Sequence, residues 1–180
     1  MNSCCSEPAD IIEEDRHKPD GECCLITDLS DAPSRTECPF SGKLSSNIQR
    51  RTLEHLLVDK RLSLLQNKQY YYCDDPDCDV VYFPYGKGEY FTRRDIKVKV
   101  YSKDPGGDVN VCYCFDWSRN RIKNEIEETG KSTAANQISR EVKAGNCRCD
   151  IKNPKGRCCL GDVNVEVKKI KQPNTGRHVK

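Results

Sequence analysis

Val111-Cys112-Tyr113-Cys114-Phe115 is followed, after a stretch of helical character, by Cys147-Arg148-Cys149 and then by Asn153-Pro154-Lys155-Gly156-Arg157-Cys158-Cys159. These closely spaced cysteines belong to a set of thirteen in a chain of 180 residues. Thiolates held at such short spacings are typical of a metal site. We therefore expect metal binding to decide how this part of the chain folds, with a disulfide framework as the alternative.

The composition favours small modules held together by metals. Hydrophobic residues make up 36% of the chain and aromatic residues 7%, which is little for a single large core. Residues 1–20 lack the apolar stretch of a signal peptide, and no run is long enough to span a bilayer. We therefore expect a soluble, cytoplasmic protein without membrane insertion, in a compartment where thiols stay reduced. The odd number of cysteines also favours metal binding over complete disulfide pairing.

The charge balance gives no reason to expect a nucleic-acid partner. Thirty basic and 28 acidic residues leave a formal net charge of +2, so no strong electrostatic field surrounds the molecule. Lysines and arginines are locally frequent near the C-terminus, where we expect a solvated basic tail over residues 164–180.

The chain is predicted to belong to the α+β class, with two modules between two tails. Residues 1–36 are polar and predict a disordered tail. Its adjacent pairs Cys4-Cys5 and Cys23-Cys24 suit a soft ion such as Cu⁺, with idle reduced thiols as the alternative. A zinc-binding antiparallel β module is expected over residues 37–104. A [2Fe-2S] module built on a helical hairpin is expected over residues 109–163. The turn-forming residues at 104–108 mark the boundary between them.

Aromatic and β-branched runs predict the strands of the first module. They lie at 70–72, 80–83, 90–91 and 96–100, the last with alternating apolar residues. Residues 52–57 carry apolar side chains at helical spacing and predict a short helix, with a loop as the alternative.

Capping residues predict the two helices of the second module. Ser118 and Gly130 would begin and end the first helix, and Ser132 or Thr133 and Gly145 would begin and end the second. Helices this short do not hold their geometry alone. We therefore expect the cysteine loops at their ends to share one metal centre.

The spacing of the C-terminal cysteines favours an iron–sulfur cluster over a structural zinc ion. Such clusters use four thiolates from short-spaced loops, whereas zinc knuckles usually have two or more residues between the cysteines. No histidine lies between Cys78 and His178, which argues against a Rieske-type centre.

A separate zinc site is predicted in the first module. Its expected ligands are Cys38, Cys73 and Cys78, because the last two flank a loop rich in turn residues. The fourth ligand stays open among His55, Asp77, Asp79 and water.

These blocks together are similar to a known family. The runs Tyr71-Tyr72-Cys73, Cys78-Asp79-Val80-Val81-Tyr82-Phe83, Val111-Cys112-Tyr113-Cys114 and Cys149 with 153–159 resemble the N-terminal domain of long-form CopZ copper chaperones. The second half of that domain is similar to bacterioferritin-associated ferredoxins.

The resemblance implies a [2Fe-2S] cluster on Cys112, Cys114, Cys149 and Cys159, with Cys158 as the alternative to the last, and a single zinc ion in the first part. Cys147 has no counterpart in the family pattern and is interpreted as a spare thiol.

Two departures from the family pattern affect the expected sites. Many members begin with Cys-Pro-x-Cys, where this chain has Cys38-Pro39-Phe40-Ser41, so the fourth zinc position is changed. The Met-x-Cys-x-x-Cys loop of a copper-carrying domain does not occur here, since Met1 is the one methionine. We therefore expect copper to be handed over by a separate protein.

The function predicted from these features is that of a zinc and [2Fe-2S] redox protein of copper homeostasis. It would pass single electrons for copper handling, with a copper chaperone or a copper-transporting P-type ATPase as partner. The alternatives are a zinc-only protein-binding module and a ferredoxin-like electron donor in iron homeostasis. Electron transfer is favoured over enzymatic turnover, because no nucleophile or phosphate-loop motif occurs and the acidic residues at 74–79 are interpreted as a solvated turn.

Overall fold

A computed structural model describes residues 31–172, so the cysteine pairs predicted at positions 4–5 and 23–24 lie outside the described part. A five-stranded antiparallel sheet comes first, in the order β1-β2-β3-β4-β5. Its strands are β1 (Arg35–Glu37), β2 (Leu44–Ile48), β3 (Tyr70–Tyr72), β4 (Val80–Pro84) and β5 (Phe91–Thr92), with α1 (Arg50–Leu56) and α2 (Asp59–Leu62) between β2 and β3. The second part contains β6 (Asn110–Cys112), β7 (Trp117–Ser118), α3 (Arg119–Thr129), α4 (Ala134–Lys143), α5 (Cys149–Lys152) and α6 (Leu160–Lys171).

The central strands β3 and β4 are buried on both faces. Successive side chains of a strand point to opposite faces, so the tyrosines of β3 divide between two clusters. Tyr70 and Tyr72 pack with Leu53 and Phe91 in the main core of the first module. Tyr71 and Phe83 face the other way, toward a cluster that includes Cys38, Cys73 and Cys78. The hairpin therefore supplies the floor of the predicted zinc site.

The two ends of this sheet differ from the prediction. Residues 35–37 form β1, where a disordered tail was expected up to residue 36, and the polar sequences of β1 and β2 carry no strand pattern. The predicted strand at 96–100 is wrong, because within the described residues this segment forms one isolated β-bridge, between Ile96 and Leu57, and no continuous strand pairing. A turn over residues 93–95, closed by hydrogen bonds from Thr92 to Asp95, carries the chain away from the sheet.

The predicted helices α3 and α4 are confirmed, and α3 has the predicted caps at both ends. The helix α4 begins after Thr133, whose side chain makes no capping hydrogen bond, and its C-cap is Ala144. The Ser118 hydroxyl accepts the Arg121 N–H at 3.1 Å, and Gly130 ends α3 with a φ of 75°. Gly145 follows α4 with a φ of 78°, a conformation that glycine adopts without steric cost.

A third long helix replaces the predicted basic tail over residues 164–171. These residues belong to α6, whose Val163 is fully buried in the core of the second part. Glu166 accepts a hydrogen bond from the Tyr101 hydroxyl at 2.7 Å and lies 3.6 Å from Arg119 Nε. The sequence did not predict this helix, because the lysines of its exposed face obscure the helical spacing of its apolar side chains.

The segment around α5 packs on the first module. The buried Tyr82 hydroxyl donates to the Pro154 carbonyl at 2.7 Å, and Thr52 Oγ1 donates to the Asp150 carbonyl at 2.5 Å. A side chain at position 156 would begin only 3.1 Å from Ile48, so Gly156 permits this close approach. Within residues 31–172, none of the helices has the length and apolar content required to cross a bilayer.

Candidate metal centres

The first candidate site brings together Cys38, Cys73 and Cys78. Their Sγ atoms all lie within 4.8 Å of one another, and the three side chains are buried. Cys38 follows β1, Cys73 follows β3 and Cys78 precedes β4, so the ends of three strands meet at this site. Three buried free thiols at this spacing fit the donor set of a zinc ion.

The side chain nearest to a fourth position is Ser41. Its hydroxyl lies 3.6 Å from Cys73 Sγ. The candidates His55, Asp77 and Asp79 are all exposed and lie outside the group of three thiols. His55 Nδ1 instead lies 2.8 Å from the Arg51 carbonyl oxygen, and the Asp79 carboxylate accepts from Arg93 at 2.8 Å. Among residues 31–172, the Ser41 hydroxyl or a water molecule is therefore left for the fourth position.

The surroundings of the first site favour ionisation of the Cys38 thiol and oppose ionisation of the Cys78 thiol. Burial opposes ionisation of Cys38, but the backbone of Phe40 and the hydroxyl and backbone of Ser41 outweigh it and lower the pKa of Cys38. Burial raises the pKa of Cys78 to about 11. A zinc ion would supply the charge that stabilises the Cys78 thiolate.

A buried ammonium group supports the loop between Cys73 and Cys78. Lys103 is 4% exposed, and its Nζ donates to the carbonyls of Asp75 at 2.7 Å and Cys78 at 2.9 Å. Zinc with three thiolates carries a net negative charge, which this lysine would offset. Sequence analysis missed Lys103, because nothing in its local sequence distinguishes it from a surface lysine.

The second candidate site joins cysteines from three segments of the chain. Cys114 Sγ lies 3.5 Å from Cys149 Sγ, and Cys147 Sγ lies 3.2 Å from the same atom. Cys112 and Cys159 belong to the same buried core of the second part, and Cys114 packs against that core. The four cysteines predicted as cluster ligands therefore lie in one region, with Cys147 beside Cys149.

The same geometry distinguishes Cys159 from its neighbour Cys158. Cys159 is 1% exposed and packs in the core of the second part, whereas the Cys158 side chain is exposed. Cys159 immediately precedes α6, so the first turn of that helix fixes its direction.

Two backbone contacts hold the loops of this site. The Tyr113 hydroxyl, between Cys112 and Cys114, donates to the Lys99 carbonyl at 2.8 Å. The Arg148 N–H points to Cys114 Sγ at 3.4 Å, which is the type of contact that stabilises a metal-bound thiolate.

The thiols of the second site ionise unequally. Contacts with the thiols of Cys114 and Cys159 lower the pKa of Cys149, and contact with Cys159 lowers the pKa of Cys112. Contact with Cys149 and burial raise the pKa of Cys114. The donor set contains sulfur alone, and a cation would be needed to hold all of it as thiolate. This arrangement fits a [2Fe-2S] cluster or a four-thiolate zinc ion.

A sheet-borne three-thiol site and an all-sulfur site between helices together define a cysteine-rich metal-binding protein. Residues 35–97 match the model of the CopZ zinc-binding domain, and this segment contains all three cysteines of the first site.

The chain is also similar to a known copper chaperone, both in sequence and in structure. Over 91 residues, half of the chain, it is 31% identical to the copper chaperone CopZ of Archaeoglobus fulgidus and spans 42% of that protein's length. The crystal structure of the N-terminal domain of A. fulgidus CopZ superposes with a TM-score of 0.61 at 24% identity, covering 72% of this chain and 96% of that domain. The predicted resemblance is thus confirmed for the zinc-binding segment and for the mixed helix and antiparallel-sheet fold.

Proposed function

We propose that this chain is a cytoplasmic redox protein of copper homeostasis, with one zinc ion and one [2Fe-2S] cluster. Zinc would be held by Cys38, Cys73 and Cys78. The cluster would be held by Cys112, Cys114, Cys149 and Cys159. The observation that carries the proposal is that Cys112, Cys114 and Cys159 pack in one core while Cys114 Sγ lies 3.5 Å from Cys149 Sγ. These four thiols come from the β6–β7 turn, the start of α5 and the start of α6.

An iron–sulfur cluster is favoured over a second zinc ion by the spacing of the cysteines. The paired ligands Cys112 and Cys114 have one residue between them, which is short for a zinc knuckle. This spacing suits a cluster that is held by thiolates from short-spaced loops.

The cluster, when bound, would supply the capacity to accept and give up single electrons. The chain would position it so that one edge reaches solvent, because Cys114 and Cys147 are partly exposed while Cys112 and Cys159 are buried. Electrons would enter and leave at that edge. The zinc site would have a structural role, since its ligands join the ends of β1, β3 and β4.

A role in copper handling is proposed because the chain is similar to a protein named as a copper chaperone. Soft thiolates bind Cu⁺ better than Cu²⁺, so a one-electron donor would prepare copper for a thiolate carrier. The partner proposed for this step is a copper chaperone or a copper-transporting P-type ATPase.

Anaerobic purification with metal and acid-labile sulfide analysis tests the proposal. We expect a coloured protein with iron, sulfide and one zinc ion per chain, whose visible absorption bleaches with dithionite. The Cys112→Ala variant should lose the iron and keep the zinc. A colourless protein with two zinc ions would refute the proposal and favour a zinc-only binding module.

The alternative as an electron donor in iron homeostasis has a separate test. The reduced protein would be mixed with a Cu²⁺-loaded chaperone or with ferric ferritin, and reoxidation followed by absorption. Faster reoxidation by ferritin would favour the ferredoxin-like alternative.

A further inference from the structure

The second metal site contains one thiol more than a [2Fe-2S] cluster takes from a protein. Cys147 Sγ lies 3.2 Å from Cys149 Sγ, and the sulfur atoms of Cys114, Cys147 and Cys149 are within 4.8 Å of one another. Four thiolates complete such a cluster. One of the five cysteines is therefore in place without a coordination position of its own.

Cys147 and Cys149 differ in how firmly the backbone holds them. Cys149 is the first residue of α5, and its carbonyl accepts the Asn153 N–H at 3.1 Å. Cys147 precedes the helix in the loop that follows α4, next to the exposed residues Gly145 and Asn146. Cys147 is thus a partly exposed loop residue, whereas Cys149 is buried at the first position of a helix.

We propose that Cys147 is a reserve ligand of the second site, which takes the coordination position of Cys149 when that thiolate is lost. The inference rests on the proposed function, since it requires a cluster at this site. In the exchange, the bond from the metal to Cys149 breaks and that sulfur takes up a proton. The Cys147 thiol gives up a proton and forms the new bond, so charge and electron count are unchanged.

Cys158 provides an internal contrast. It is adjacent to Cys159 in sequence, as close along the chain as a reserve ligand could be, but its side chain is exposed while that of Cys159 is buried. Cys159 is therefore without a reserve thiol in its own loop. Replacing Cys159 and replacing Cys149 should have different consequences.

Four variants test the inference: Cys149→Ala, Cys147→Ala, the double variant, and Cys159→Ala. Each is purified without air and analysed for iron, sulfide, zinc and visible absorption. We expect Cys147→Ala to match the wild type and Cys149→Ala to keep most of its iron with a shifted absorption band. The double variant and Cys159→Ala should lose their iron. Retained zinc reports that the first module is folded in each case.

Several results would overturn the inference. If Cys149→Ala loses iron as fully as the double variant while the wild type keeps it, Cys147 is not a reserve ligand and the proposed function stands. If Cys159→Ala also keeps its iron, the site tolerates loss of any ligand and Cys147 has no special role. An iron-free wild type would overturn both the inference and the proposed function. The Cys149→Val variant, which is closer in size and has no donor atom, replaces Cys149→Ala if the latter loses zinc as well.

Discussion

The hydrogen bond from Tyr82 to Pro154 should control how tightly the second metal site is closed. Tyr82 lies on β4 of the first module and is fully buried, and Pro154 lies between the ligands Cys149 and Cys159. Burial raises the pKa of Tyr82 well above its usual value, so the phenol stays protonated and donates over the whole working pH range. Tyr82→Phe removes this donor and keeps the ring in the core.

The expected magnitude follows from the buried carbonyl that is left behind. An unpaired buried acceptor costs about 1–3 kcal/mol, and a value near 1.5 kcal/mol corresponds to about a tenfold change in an equilibrium constant. If the segment must detach from the sheet before a chelator reaches the metal, the detached fraction rises by that factor. Iron release from Tyr82→Phe should therefore be about tenfold faster than from the wild type.

Tyr71→Phe is the matched control for this experiment. Tyr71 is also fully buried in the sheet, and its hydroxyl donates to a proline carbonyl, that of Pro33, at 2.6 Å. It faces the opposite side of the sheet from Tyr82, where it packs with Cys38, Cys73 and Cys78, and its hydroxyl binds Pro33 and not the segment of Pro154. Both variants should unfold at lower urea concentrations, but only Tyr82→Phe should release iron faster. Equal release rates for wild type and both variants would refute the reasoning.

Three further predictions concern separate parts of the molecule. Lys103→Met removes the donor to the buried Cys78 carbonyl and one of two donors to the Asp75 carbonyl, so zinc should pass to a chelator about tenfold faster. Lys99→Met, which alters an exposed ion pair, should match the wild type. Ser41→Cys places a fourth sulfur beside Cys73 and should tighten zinc binding in a chelator competition, while unchanged affinity would mean that Ser41 does not face the ion. Glu125→Gln should destabilise the protein by about 1 kcal/mol at pH 7, since the carboxylate accepts hydrogen bonds at the start of α4. Burial opposes ionisation of Glu125, but the hydroxyl and N–H of Thr133 outweigh it and lower its pKa, so this stability is present above pH 4.5 and is lost as the pH falls further. Urea unfolding of both proteins at pH 7 and pH 4, at matched metal content, should show the difference shrinking.

Local signals in the sequence predicted those elements that depend on local chemistry. Ser118 begins α3 through a side-chain cap, and Gly130 ends it through a left-handed backbone conformation. Each of these signals depends on the type of a single residue. The aromatic strands β3 and β4 were evident for the same reason. Polar β1 and β2 were not, because their place in the sheet depends on pairing with a neighbour and not on their own composition.

Contacts between distant segments were beyond the reach of sequence patterns. Tyr82 and Pro154 are 72 residues apart, and the sequence around either residue does not indicate a contact with the other. The assignment of Cys112 and Cys159 to one site, with Cys158 as the alternative to Cys159, came from the resemblance to the CopZ domain. The structure adds that Cys159 is buried at the start of α6 whereas Cys158 is exposed.

The β3–β4 hairpin makes the second metal site dependent on the first, but not the first on the second. Cys73 and Cys78 lie at its turn, so zinc would fix the hairpin, and Tyr82 on the same hairpin holds the segment that carries Cys149 and Cys159. The first module, by contrast, has its own sheet and core, and the three thiols of its zinc site all come from within it. Loss of zinc, as in Cys78→Ala, should therefore also lower the iron content, whereas loss of iron in Cys112→Ala should leave zinc in place. Full iron retention by Cys78→Ala would show that the cluster segment is ordered without help from the hairpin.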